Sequence, residues 1–271
     1  MSNPAKLFKG VEALTFDCYG TLIDWETGLR RALRKSLGAN AARVPDEALL
    51  NQFAAHESRL EAGAKGEAFV AYREVLWAVL AAMATTFNAR VRDPDALGAS
   101  IRDWPAFPDT SAALRRLKSR FRLCVVSNID DDLFEMSRPK LGVEWDGIVT
   151  AQQVRSYKPR KAHFKEALAR LGLPASKVVH VAQSLHHDIA PASELGLKTV
   201  WVNRQAGRPG ATPASRAKPD VEVPDMATLA EIAAPEAGEK PGVIEKAGAT
   251  RGSATGDMQA KPAIEAAPAI R

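Results

Sequence analysis

Four polar positions in this chain have the chemistry to act on a small electrophile: Asp17, the pair Ser127 and Asn128, Lys158, and Ser184 with Asp188. Asp17 closes the apolar run VEALTF and is followed by Cys18, Tyr19, Gly20 and Thr21. Together the four supply a carboxylate nucleophile, a hydroxyl and an amide able to hold a substrate anion, a lysine, and a second acid. Each also has a plain structural reading. An Asp at a strand tip often caps a turn, Ser and Asn cap helices, and a lysine before proline sits in a solvated loop.

The elements that must position these residues are legible in the hydrophobic pattern. Apolar runs at 11–18, 121–128, 177–184 and 198–204 are nearly continuous, as strands buried on both faces are. Helical patterns at 110–119, 132–142, 162–172 and 189–196 alternate with them. Shorter apolar pieces at 146–154 and 220–223 extend the same series. This alternation predicts an α/β fold with a doubly wound parallel sheet, a Rossmann-like core. In such a sheet the C-terminal strand ends share one edge, and each of the four polar positions stands at a strand end. Convergence there is the physical case for an active site.

Residues 24–103 contain no strand pattern but three helical stretches, ETGLRRALRKSL, PDEALLNQFAAHESRLEAG and EAFVAYREVLWAVLAAMATTF. They predict a helical cap inserted after the first strand, leaving 1–23 and 104–232 as the core. From Ala233 to the end the chain is rich in Ala, Gly and Pro without aromatics, so 233–271 is expected to be a disordered tail.

Asp17-x-x-Gly20-Thr21-Leu22, Ser127-Asn128, Lys158-Pro159 and the distal Asp188 resemble, in order, the four motifs of the haloacid dehalogenase superfamily. Within it, the Asp-Cys-Tyr-Gly-Thr-Leu run and the Tyr157-Lys158-Pro159 triplet are most similar to the type II 2-haloacid dehalogenases. That resemblance implies that Asp17 displaces a halide from C2 of a short 2-haloacid and forms an ester. Water then releases the 2-hydroxy acid. It implies that Lys158 positions Asp17, that Asp188 orients Lys158 or the water, and that Thr21 helps to stabilise the developing oxyanion. Tyr19, Ser127, Asn128, Ser184 and His187 would contact the substrate. In the phosphatases of the superfamily the residue at Tyr19 is an acid that protonates an alkoxide, beside a magnesium ion. A halide needs no proton, so Tyr19 is compatible with displacement that uses no metal and no cofactor. Two readings stay open beside it: a phosphatase-like hydrolase of a small phosphorylated metabolite, and a non-catalytic binding protein of the same fold.

The chain departs from that pattern in places. Leu185 stands where an asparagine is expected, and Phe164 where a tyrosine is. Phe53 and Ala54 align with an aromatic residue and a cap arginine, which leaves Arg59 or Arg73 to supply the positive charge. His186 and His187 are read as neighbours on an extended loop, without the further ligands a metal needs. Phe69, Tyr72 and Trp77 fall at helical spacing and are read as packing residues of the cap. Cys18 is read as a small buried filler.

The net charge of +5 is spread along helix faces such as 29–35 and 114–120, not gathered into a stripe with aromatics, so no nucleic-acid partner is expected. A small anionic substrate is. No stretch is long enough to cross a membrane, and the first residues lack a signal-peptide layout. Two cysteines, each inside a strand pattern, point to reduced thiols and a cytoplasmic protein. The resemblance also carries the expectation of a homodimer.

Overall fold

The computed structural model describes residues 4–206 and 215–236. Six parallel strands form one sheet: β1 (Ala13–Phe16), β2 (Arg122–Ser127), β3 (Gly147–Thr150), β4 (Val178–Ala182), β5 (Lys198–Val202) and β6 (Val221–Val223). Their spatial order is β3-β2-β1-β4-β5-β6. The chain therefore leaves β1 toward one edge and returns to β4 on the other side, which makes the end of β1 a topological switch point. Phe16 lies level with Val125 of β2 and Val181 of β4. The next residue, Asp17, thus emerges at the same height as the ends of its two neighbours.

Helices α1 (Trp25–Leu37), α2 (Asp46–Gly63), α3 (Tyr72–Thr86) and α4 (Ala96–Ser100) follow β1 before any second strand is made. The remaining helices are α5 (Thr110–Lys118), α6 (Asp131–Ser137), α7 (Ala151–Val154), α8 (Ala162–Leu171), α9 (Ala190–Glu194) and α10 (Met226–Ala233). One face of the sheet packs Val126, Val149 and Val178 against Phe164, Ala167 and Leu171 of α8. The other packs Leu14, Phe16 and Val125 in one cluster with Leu114, Leu117 and Leu229 of α5 and α10. Both faces are covered, which is why the strands read as unbroken apolar runs.

Local signals account for the helix ends. Asp24 caps α1 by accepting from the Thr27 N–H at 3.1 Å, and Arg34 and Lys35 sit in its last turn, where the helix dipole favours cations. α3 begins at Tyr72, five residues later than the 67–87 pattern suggests. Its first N–H groups do not need a local cap: Tyr72 N and Arg73 N donate to the Asp130 carboxylate at 2.9 and 2.8 Å. The helical pattern at 132–142 breaks after Ser137 into a short 3-10 turn containing Pro139. Ala233 and Ala234 are buried at the end of α10, so the core extends past 232. Residues 237–271, most of the expected tail, lie outside the described residues.

The segment around Lys158 joins the inserted helices to the sheet. Tyr157 donates its hydroxyl to Val70 O at 2.8 Å, and Arg160 donates to the carbonyls of Glu61, Ala62 and Ala64 at the end of α2. A cation there satisfies carbonyls that the helix itself leaves open. Among the described residues no helix is long and apolar enough to cross a membrane.

Trp104 fixes the other side. It is buried and lies against the α1 backbone so closely that a Cβ at Gly28 would stand 2.3 Å from its ring. Gly28→Ala is expected to lower stability by about 1–2 kcal/mol, because overpacking outweighs the gain in helix propensity. Urea unfolding measures it, and an unchanged or higher midpoint would show that Trp104 yields freely.

Candidate active site

Asp17, Lys158 and Asp188 meet in a buried cluster at the sheet edge. The Lys158 ammonium donates to Asp17 Oδ1 at 2.9 Å, to Asp188 Oδ1 at 2.7 Å and to Val126 O at 2.9 Å. Its three protons thus have three acceptors, and the residue is only 2% exposed. The other oxygen of Asp17 accepts from the Thr21 hydroxyl at 2.7 Å, and Thr21 Oγ1 in turn accepts from Gln183 N at 2.9 Å. Asp17 N donates to Val181 O, which locks its backbone to β4.

A residue absent from the sequence-based set completes the cluster. His180, in the middle of β4, places Nε2 3.1 Å from Asp188 Oδ1 and Nδ1 2.9 Å from Thr15 Oγ1. Phe164 meets the ring edge to face at 5.0 Å. One histidine within an otherwise apolar buried strand was the available signal, since fully buried polar side chains are kept only where they are bonded.

Electrostatics follow from burial and pairing. Burial disfavours the Asp188 carboxylate, yet Lys158 and His180 outweigh it and hold the group well below the usual carboxylate range. Burial acts to lower Lys158, but Asp17 and Asp188 raise it above an ordinary lysine, so it stays protonated. Asp17 is pushed above its ordinary value by burial, with Lys158 opposing and Asp188 reinforcing the rise. Burial also pushes the Cys18 thiol up, and Asp17 adds to that, which leaves the thiol neutral and unreactive.

These groups form the floor of a cavity of about 100 Å³ between the sheet edge and the inserted helices. Tyr19, Ser127, Asn128, Ser184 and His187 all line it. Their hydrogen bonds differ from a simple binding set. Both side-chain amide atoms of Asn128 are engaged with the Lys158 backbone, Oδ1 accepting from N at 2.7 Å and Nδ2 donating to O at 3.3 Å. Asn128 therefore holds Lys158 in place. The Tyr19 hydroxyl lies 3.0 Å from Ser137 Oγ, and its ring packs edge to face on Trp104 at 5.7 Å. Tyr19 is a wall.

Residues Leu185–Ile189 form a π-helical turn, not the extended loop expected, because Ser184 Oγ accepts from His187 N at 2.9 Å and caps it. The turn directs His187 to the cavity, where burial lowers its imidazole to about 4 and keeps it neutral. Among the described residues no three His, Cys, Asp or Glu side chains converge to hold a metal ion. Asp17 and Asp188 are bridged instead by the Lys158 ammonium.

The inserted helices supply residues that sequence reasoning missed. Ala54, Glu57, Ser58 and Glu61 of α2 line the cavity on one helix face. Tyr72 was read as packing; it lines the cavity too and donates its hydroxyl to Glu57 at 2.5 Å. Phe69 and Trp77 do not: Phe69 stacks on Tyr157 at 5.3 Å, and Trp77 is exposed, donating to Asp95. Ala54 occupies the wall where the arginine was expected, and neither Arg59 nor Arg73 replaces it. Arg59 is exposed and outside the lining, and Arg73 is paired with Asp95 and Asp132.

Comparison with known proteins gives the family and the fold. The sequence matches the haloacid dehalogenase-like hydrolase family over residues 11–196. It is 27% identical to (S)-2-haloacid dehalogenase 4A of Burkholderia cepacia over 209 residues, which is 73% of this chain and 86% of that protein. The fold superposes on a solved L-2-haloacid dehalogenase with a TM-score of 0.70 at 24% identity, covering 82% of this chain and 97% of that one. The L-2-haloacid dehalogenase of Xanthobacter autotrophicus gives 0.69 at 18% identity, with 82% and 98% covered.

Two variants test the electrostatic reading. Lys158→Met strands two buried carboxylates, so it is expected to cost about 3–5 kcal/mol at pH 7. Protonating them relieves the cost, and the deficit in urea unfolding should narrow as the pH falls from 7 to 5. A pH-independent deficit would mean that the ammonium is only packing. Glu57 is raised by burial to about 7 from an ordinary 4.5. An acid raised on folding adds no penalty below its unfolded value and loses stability as pH rises toward its folded value. Glu57→Gln should therefore gain melting temperature relative to the wild type between pH 4.5 and 8. No relative gain would place the ordinary ionised carboxylate at that position.

Proposed function

The chain belongs to the haloacid dehalogenase-like hydrolases, and on that footing we propose that it hydrolyses the carbon–halogen bond of a short 2-haloalkanoic acid. The reading is carried by one observation: the Asp17 carboxylate stands on the cavity floor between Lys158 and Thr21, with Tyr19 where a proton-donating acid would be needed for an alkoxide leaving group. A halide ion leaves without a proton. The site offers a nucleophile with a tyrosine, not a carboxylic acid, two residues after it, which suits carbon–halogen displacement.

In the first step an oxygen of Asp17 attacks C2 in line with the halogen. The new C–O bond forms as the C–X bond breaks, and the halide departs with the bonding pair. Lys158 and Thr21 each hold one carboxylate oxygen, which aims the remaining lone pairs and restricts the attack to near-productive geometries. In the second step water attacks the Asp17 carbonyl carbon of the ester. Lys158 and the Thr21 hydroxyl are placed to stabilise the oxyanion that develops there. The C–O bond to the carboxyl carbon then breaks, and the departing alkoxide takes up the proton that the water gave up, so that the 2-hydroxy acid leaves with an oxygen that began on Asp17. Asp188 keeps Lys158 in position, and the neutral His187 in the lining can accept the proton of the water.

Single turnover of 2-chloropropionate in H₂¹⁸O with excess EDTA tests the proposal. The expected outcome is chloride release, an unlabelled product hydroxyl and one ¹⁸O in the peptide that contains Asp17. Asp17→Asn should reduce the rate by a factor of about 10³ or more. Label in the product from the first turnover would mean direct attack by water. Turnover of a phosphate ester that depends on added magnesium, without chloride release, would replace the reading altogether.

A further inference from the structure

The cavity wall opposite Asp17 has the wrong charge for a receptor of carboxylates alone. Four carboxyl groups, Asp17, Glu57, Glu61 and Asp188, line the space among the described residues, against one lysine. That lysine has all three protons engaged on the floor. The only other basic side chain in the lining is His187, which is neutral. Where a guanidinium was expected there is the methyl group of Ala54, and the two turns of α2 beyond it carry Glu57 and Glu61.

Glu61 is the informative member. It is 8% exposed, its side chain faces the cavity, and its carboxyl has no hydrogen-bonding partner among the described residues. Arg160 is turned to the backbone carbonyls of Glu61, Ala62 and Ala64. Glu57 one turn earlier accepts from the Tyr72 hydroxyl, which leaves its remaining lone pairs toward the same space. The Glu61 oxygens stay open to the cavity, so a ligand there can supply the donor that no protein group does.

We propose that Glu57 and Glu61 form a receptor for a positively charged nitrogen, so that the substrate is a short haloacid carrying an ammonium group on the side remote from Asp17. The inference rests on the dehalogenase reading for its reacting end but not for its receptor. An ammonium has three protons, and the two carboxyls, one helical turn apart, offer acceptors on one side of the cavity. Ser127, at the end of β2 in the cavity lining, then faces the carboxylate end. Burial raises both glutamates, with Glu57 adding to the rise of Glu61 while Lys158 and Arg160 oppose it. A bound cation would reverse that balance by favouring their ionised forms. The other titratable groups facing the pair are Tyr72 from α3, Tyr157 beside Lys158, and Asp17 and Asp188 on the floor. The positive charges near the pair are Lys158 and Arg160, and the guanidinium of Arg160 is engaged with backbone carbonyls.

Unreactive probes separate this from the chemistry. Propionate and β-alanine have the same carboxylate and chain length and differ by one ammonium. Calorimetric titration at pH 8 into the full-length wild type is expected to give at least tenfold tighter binding of β-alanine, about 1.4 kcal/mol. Glu61→Gln should remove most of that preference, and the double variant with Glu57→Gln should remove all of it, while propionate binding stays the same or tightens. Thermal unfolding confirms that the variants are folded. Equal binding of the two probes, tighter binding of propionate, or no binding of β-alanine overturns the receptor. Chloride release from 2-chloropropionate reports on Asp17 separately. Release with no β-alanine preference sinks the receptor and leaves the dehalogenase reading standing. The opposite pattern keeps the receptor and sinks the chemistry.

Discussion

Everything at this site depends on burying one ammonium ion. Removing the Lys158 charge from water costs several kcal/mol unless its protons find good acceptors, and here all three do. Satisfying them sets demands on three separate strands. Asp17 must end β1, the Val126 carbonyl must stand at the same height in β2, and Asp188 must return to that point after β4. The parallel register of β2, β1 and β4 meets those demands. The same short segment also carries Tyr157 and Arg160, whose bonds hold the end of α2 and the entry to α3. The lysine that orders the floor is thus flanked by residues that set the height of the roof.

A second layer braces the first. His180 joins Asp188 to Thr15 across β4 and β1, and Asn128 clamps the backbone of Lys158 with both ends of its amide. Asp130, two residues later, receives the first two N–H groups of α3. The loop after β2 therefore shapes the cavity twice, by fixing the lysine and by docking the helix that presents Tyr72. Moving any of these elements would leave a buried charge without a partner, which is a steep penalty and a source of rigidity. The roof is held less by charge than by helix ends, and its cavity face is acidic. Floor and roof thus differ in chemistry: a lysine paired with two aspartates below and the carboxyl groups of Glu57 and Glu61 above.

Much of the floor could be read from the sequence because strand ends announce themselves. Asp17, Ser127 and Ser184 each close an apolar run, and a parallel sheet gathers such ends on one edge. His180 was hidden inside a run, since periodicity treats a single polar residue in a strand as noise. Asn128 was visible but was assigned to the substrate, because no pattern shows that both its amide atoms would be spent on Lys158. Tyr72 shares the buried stripe of Val75, Leu76 and Val79, and Trp77 lies off it. That Tyr72 meets the cavity depends on where α3 starts, and that start is capped by Asp130, 58 residues further along the chain.

By itself the sequence determined the α/β class, the helical insertion and the order in which the first carboxylate, the hydroxyl, the lysine and the second acid appear. These are properties of local hydrophobic period and of short motifs, and they need no partner. The tertiary structure alone decided what stands opposite Asp17. Glu57 and Glu61 lie on a helix whose pattern admits several facings, and only its docking through Arg160 and beside Tyr72 turns that face inward. Charge at a binding site is a sum over elements distant in the chain, so it exists only once they have packed together.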